Sequence, residues 1–382
     1  MPFKMRQYRR LLAAVILLIA GTVAIGKWLS TGVQKVLEAV GQPTILDGKV
    51  KEIWTGPDGS LVALSESDSE IQIKVWSDKT LTKGGDPVVK AIDGHQLIGN
   101  NEPLSNSGYV VSGGAKYIAW LAAGKLMMGG ISASNKAVVN PQAQDLQGHT
   151  VRSLAFLGDQ LLIVFYTNGK LEAWNSASRA KGSAGSWVEG NWSIAAHGSI
   201  LIISSFETGE FGLARFDGAD YLDLKFDKLK FKDGSAIGVS PSGEIVVGTA
   251  SGKLVKKDAR TKEEKMLGYL GTNGQGIRKI LFWDDETLIV MSKSGSTYAK
   301  LGRSSVISHL GFMPPADHIC LIDQALAYST AEDLEIVKLE VVVPLFRDRV
   351  FLFSTVLSLF SLFFTIWPTD LKKALRLGTP PS

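Results

Sequence analysis

One cysteine in 382 residues removes several familiar ways of building a staple or a site. Cys320 has no partner for an internal disulfide, and no cysteine–histidine cluster exists to hold zinc. It lies in the apolar run Ile319 to Ile322 and reads as a small buried hydrophobe. No cysteine follows the N-terminal apolar stretch, which argues against a lipoprotein anchor. Histidine is almost as scarce. The five histidines (His95, His149, His197, His309, His318) lie in separate stretches, and none belongs to a His-Glu-x-x-His motif. A Gly-x-Ser-x-Gly elbow and a phosphate loop are both missing. Charge of one sign is missing too: 41 Lys and Arg stand against 37 Asp and Glu, with no basic block. Nucleic acid is therefore not an expected partner. The expectation is a chain without catalytic residues, cofactor or metal.

Glycine, by contrast, is abundant, with 40 in the chain and 45% hydrophobic residues around them. That balance fits many short strands joined by tight turns. Gly148 to Asn175 shows the unit. Val151 to Phe156 alternates apolar and polar, Gly158-Asp159 turns, Leu161 to Tyr166 is an apolar run, Asn168-Gly169 turns, and Lys170 to Trp174 returns. An Asn-Gly pair between apolar runs is a strong hairpin signal, because a type I′ turn needs φ > 0 at both central residues. The same turn recurs at Gly124, Gly169, Gly209, Gly252 and Gly295, a period of about 40–45 residues, as in one propeller blade. An earlier turn keeps its own ladder at Gly59, Gly158, Gly198, Gly243, Asp285 and Asp323. The alternative is a sandwich with evenly spaced hairpins.

Gly148-His149 and Trp174-Asn175 resemble the Gly-His and Trp-Asp landmarks of a WD40 repeat, with Asn for the final Asp. Trp76-Ser77-Asp78 stands where such a repeat would close. The resemblance to WD40-like and quinoprotein-like propellers implies an all-β, seven-bladed β-propeller, with six or eight blades as the open alternatives. It also implies that His149 supports a turn by hydrogen bonding. Blades are expected near 50–76, 108–145, 149–185, 190–232, 235–268, 276–308 and 316–341, within a propeller spanning 44–343. Residues 83–107 break the period and read as an insertion loop. Strand tryptophans such as Trp54, Trp120 and Trp187 read as packing residues.

Both ends carry membrane signals. Residues 1–10 form a basic tail with Arg6, Arg9 and Arg10, and 11–28 are apolar up to Lys27-Trp28. The segment reads as a transmembrane helix, a cleaved signal peptide being the alternative. Residues 29–43 have helical spacing (Val33, Val36, Leu37, Val40) and suggest a juxtamembrane stalk. At the other end 350–367 carries no charge and finishes at Trp367, followed by a basic tail, 368–382, with Lys372, Lys373 and Arg376. Ser354, Ser358, Ser361 and Thr365 share one helical face, suited to packing against a second helix in lipid. The positive-inside rule then puts both termini in the cytoplasm. The propeller falls in the periplasm or outside an inner (plasma) membrane, or in the lumen of the endoplasmic reticulum. The expected partners are the lipid bilayer and other membrane or periplasmic proteins, for which the propeller acts as a non-catalytic scaffold or assembly subunit. The alternative is a propeller enzyme of quinoprotein or hydrolase/lyase type with an axial site. Against the quinoprotein dehydrogenases stand the missing adjacent cysteine pair and docking motif.

Overall fold

The computed structural model describes residues 15–16, 19–25, 36–342 and 352–359. Inside 36–342 it leaves aside 68, 78–80, 82–84, 95–96, 98–107, 133–136, 147, 188–192, 198–199, 206–209, 216–226, 231–232, 258–262, 271–275, 304–306 and 312. Residues 39–340 form one compact unit, and the chain ends, 1–38 with 341–382, form the other.

The main unit is all-β. Its strands form seven four-stranded sheets, each a meander except the last. Sheet I holds β2 (Glu52–Thr55), β3 (Leu61–Glu66), β4 (Glu70–Trp76) and β5 (Val88–Asp93). Sheet II holds β6 (Tyr109–Val111), β7 (Tyr117–Ala122), β8 (Lys125–Ile131) and β9 (Val138–Asp145). Sheet III follows with β10 (Val151–Leu157), β11 (Leu161–Tyr166), β12 (Lys170–Asn175) and β13 (Lys181–Ser186). Sheet IV has β14 (Ser193–His197), β15 (Ile200–Ser205), β16 (Glu210–Arg215) and β17 (Asp227–Lys230). Sheet V has β18 (Gly234–Val239), β19 (Ile245–Thr249), β20 (Lys253–Lys257) and β21 (Glu264–Tyr269). Sheet VI has β22 (Ile277–Phe282), β23 (Leu288–Ser292), β24 (Thr297–Lys300) and β25 (Ile307–His309). Sheet VII joins β26 (His318–Ile322), β27 (Ala325–Ser329) and β28 (Asp333–Val342) to β1 (Val36–Gly48), the first strand of the chain.

The turns form where the residues permit positive φ. Gly124, Gly169, Gly252 and Gly295 sit between second and third strands at φ of 72°, 82°, 87° and 84°. A β-carbon there would meet the strain that left-handed backbone imposes. Gly209 lies outside the described residues.

The second strands are the most buried, Leu161 to Tyr166 and Leu288 to Ser292 throughout. Their side chains fill layers between sheets. Val62 and Ile73 of sheet I pack with Ile118 and Trp120 of sheet II. Ala119 and Leu126 of sheet II pack with Phe156 and Leu162 of sheet III. Ile163 packs with Leu201 between III and IV, Phe211 with Val247 between IV and V, and Val246 with Ile280 between V and VI. First strands β22 and β26 touch between VI and VII. Cys320 and Ala327 of sheet VII meet Ile53 and Leu61 of sheet I. Every sheet thus packs on the next, and the seventh packs on the first. This is consistent with a β-propeller-like all-β fold.

Two expectations are corrected. Val88–Asp93, expected within the 83–107 insertion, is the fourth strand of sheet I, paired with β4 from Glu70↔Asp93 to Val75↔Val88. The stalk expected as helix over 29–43 is strand from Val36 onward. Its helical spacing is overridden because sheet VII lacks a fourth strand until this segment supplies one. Pro43 fits there, since an outermost strand can spare a ladder N–H.

Residues 19–25 and 352–359 are helical. Among the described residues no helix is long and apolar enough to cross a membrane, so the spans at 11–28 and 350–367 are not established as transmembrane helices. Half of the first span, most of the second and both basic tails, with Arg6, Arg9, Arg10, Lys372, Lys373 and Arg376, lie outside the described residues.

Candidate functional site: a cavity between the first strands

A cavity of about 690 Å³ is bordered by the first strands of six sheets, β2, β6, β10, β14, β22 and β26. Its apolar wall includes Trp54, Val110, Phe156, Ile194 and Leu281. Trp54 is held by its ring Nε1–H, which donates to Gly113 O at 2.9 Å and so ties sheet I to sheet II.

One side of the cavity is polar. In β22 the ladder to β23 shifts register between Ile277 and Lys279, leaving Arg278 as the extra residue. Such a bulge re-aims the side chains beyond it. Ile277 and Ile280 are fully buried on the sheet-packing side, while half-buried Lys279 and Leu281 line the cavity. Burial holds the Lys279 amine below the usual lysine range; the neighbouring Arg278 charge acts the same way, and Cys320 and Glu52 oppose it. Across from it lies Cys320 in β26, its thiol pushed up to about 12 by burial, against smaller downward effects of Lys279 and the Thr55 hydroxyl. Thr55 Oγ1–H also donates to Leu321 O at 2.5 Å, joining sheet I to sheet VII. His318 is held below its ordinary value by burial first, then by the Lys279 and Arg278 charges.

At another point of the wall, Tyr109 donates its phenol to Glu66 Oε2 at 3.4 Å. Lys51 forms an ion pair with the same carboxylate and lies over the Tyr109 ring at 4.9 Å. Burial, then Glu66, pushes the Tyr109 phenol well above its usual value.

Carboxylates in the turns after the first strands latch adjacent sheets. Asp159 of sheet III accepts from Ser112 Oγ at 2.8 Å and Gly114 N at 2.7 Å in sheet II, with Lys116 Nζ at 3.1 Å. Asp285 of sheet VI accepts from Ser242 N of sheet V at 2.9 Å.

The repeat landmarks of sheet III do not reach the cavity wall. Gly148 has φ 76°, and the His149 backbone N–H donates to Leu146 O at 2.9 Å. The His149 ring packs edge-on to Tyr166 with centroids 5.5 Å apart, and its Nδ1 lies 3.5 Å from Asn168 Nδ2 in the turn. Trp174 and Trp76 are buried at the sheet interfaces. Beside Trp174 lies buried Glu172, which accepts from Tyr166 Oη at 2.6 Å and pairs with Lys170 at 2.8 Å and Lys181 at 3.4 Å. Of the residues on the expected helix-packing face, Ser354 and Ser358 are described, and Ser358 Oγ donates to Ser354 O at 2.8 Å. Ser361 and Thr365 lie outside the described residues.

Sequence reasoning missed Lys279, Tyr109 and Glu66. For Lys279 a signal existed: Arg278-Lys279 interrupts the alternation of Ile277 to Phe282 with two adjacent charges. Tyr109 and Glu66 meet only through the packing of sheets I and II. No known protein-family model matches the chain, and no curated protein matches it.

Proposed function

We propose that the chain is a seven-bladed β-propeller tethered to a membrane, serving as a non-catalytic interaction scaffold or assembly subunit on the extracytoplasmic side. The observation that carries the propeller is the convergence of six first strands on one cavity, with sheet VII packed back on sheet I. Such a body offers rigid faces and turns to partners without needing chemistry of its own.

The tether rests on the two chain ends. Ile19 and Ile25 in one helical stretch, and Phe353, Val356 and Leu359 in the other, are exposed apolar side chains. Exposed apolar helical surface is what lipid covers. Basic residues outside both segments favour cytoplasmic termini.

The test is purification in mild detergent after cross-linking. Membrane proteins recovered in constant stoichiometry support the scaffold. A monomer that carries a chromophore or turns over a substrate overturns it in favour of a propeller enzyme. That second reading has one observation behind it, the Lys279 side of the cavity. Release of the intact chain by carbonate wash removes the tether.

A further inference from the structure

We propose that the cavity beside Lys279 binds a small organic monoanion, a carboxylate carrying an apolar body, with the Lys279 ammonium as its counter-ion.

Other lysines of this fold have direct partners: Lys51, Lys74, Lys116 and Lys170 pair with the carboxylates of Glu66, Asp47, Asp159 and Glu172, and Lys90 and Lys300 donate to the backbone carbonyls of Ala115 and Gly302. Lys279 has no hydrogen-bond or ion-pair partner among the described residues. A half-buried cation without a counter-charge costs stability unless water or a ligand supplies one. Glu52 also lines the cavity and its charge favours the ammonium, but no hydrogen bond or ion pair joins the two side chains.

The cavity has room for more than water. Its volume, about 690 Å³, falls inside the range of roughly 300–1,000 Å³ that small-molecule sites occupy. Trp54, Phe156, Ile194 and Leu281 give it apolar walls, suited to a ring or short alkyl body. One ammonium on such a wall, without a direct partner among the described residues, matches one negative charge. A dianionic phosphate would ask for more donors than this side supplies. The inference stands apart from the tether and the scaffold role.

The experiment uses the full chain in detergent and two fluorinated probes followed by fluorine NMR, 4-fluorobenzoate and its uncharged relative 4-fluorobenzyl alcohol. The wild type should bind 4-fluorobenzoate saturably, and the alcohol markedly less. K279M should weaken the carboxylate by about tenfold or more, the worth of a charge-assisted hydrogen bond. K279R should retain most of it, and L281W, which fills the cavity, should lose it. K279Q replaces K279M if that protein does not fold. Absence of saturable carboxylate binding to the wild type overturns the proposal. So does equal affinity in the neutral variants, or equal affinity for the alcohol, which would mean a greasy hollow without a charge requirement.

Discussion

Cys320 shows how burial sets reactivity at a single residue. Its side chain is 3% exposed, and its thiol is pushed up to about 12 by burial. Thiolate is the reacting form, so the native protein should resist maleimide at neutral pH and label fully in guanidinium. Mass spectrometry of both samples checks this, and rapid native labelling would mean that sheet VII opens locally. Glu172 gives the acid counterpart. Burial alone would raise its carboxyl, but hydrogen bonds from Lys170 and Tyr166 and the charges of Lys181 and Lys170 outweigh that, leaving it below 4.5. A depressed folded-state value means its stabilisation is complete above the unfolded value and fades as pH falls through the folded one. E172Q should therefore be less stable at neutral pH and lose stability less steeply below pH 4.5, a comparison that denaturant midpoints across pH would settle. Y166F should cost about 1.5–3 kcal/mol at neutral pH by removing one charge-assisted donor.

Among the elements, β1 decides how the seventh sheet is completed. It is the outermost strand there, and its Leu46 packs on the cluster that joins sheets VII and I. Asp47 then pairs with Lys74 of β4, in sheet I. One strand thus serves both sides of the seam between the ends of the repeat. L46A should cost about 1–2 kcal/mol, less than the ~2–5 kcal/mol of a fully buried leucine because the residue is only half-buried. Deleting 36–48 should lower the unfolding midpoint by more than L46A and D47A combined, since the edge of β28 is then uncovered as well. Thermal denaturation of the three variants compares them directly, and equal midpoints would mean the strand is dispensable. The contrast with the other strands explains what the sequence discloses. Asn168-Gly169 and its counterparts at Gly124, Gly252 and Gly295 mark hairpins through backbone conformations only a few residues tolerate, so sheets II, III, V and VI could be read locally. The completion of sheet VII could not. It pairs the first strand of the chain (36–48) with the last (333–342), and the local spacing of Val33, Val36, Leu37 and Val40 pointed to a helix. β5 was obscured for a related reason: Gly84-Gly85 and Asp86-Pro87 before it look like loop, while its pairing with β4 spans a long connection. The cavity was legible least, because Lys279, Cys320 and Thr55 converge from three sheets far apart in the chain.

For the whole molecule, the proposed tether predicts which side of a membrane the sheets occupy, and the buried cysteine makes that measurable. Cys320 gives little native background, so a cysteine introduced elsewhere reports its own location through a membrane-impermeant maleimide. Lys265 in β21 is exposed on the outer strand of sheet V, so K265C should preserve the fold. In the proposed topology, cytoplasmic retention of Arg6, Arg9 and Arg10 at one end, and of Lys372, Lys373 and Arg376 at the other, would place Ser382 inside and the sheets outside. K265C should then label in intact spheroplasts, while S382C should label only after permeabilisation. Two membrane crossings require these opposite outcomes. Labelling of both positions before permeabilisation would indicate that the N-terminal segment acts as a cleaved signal and the C-terminal segment does not cross. The reverse pattern would invert the orientation and move the cavity, with any ligand it takes, to the cytoplasm.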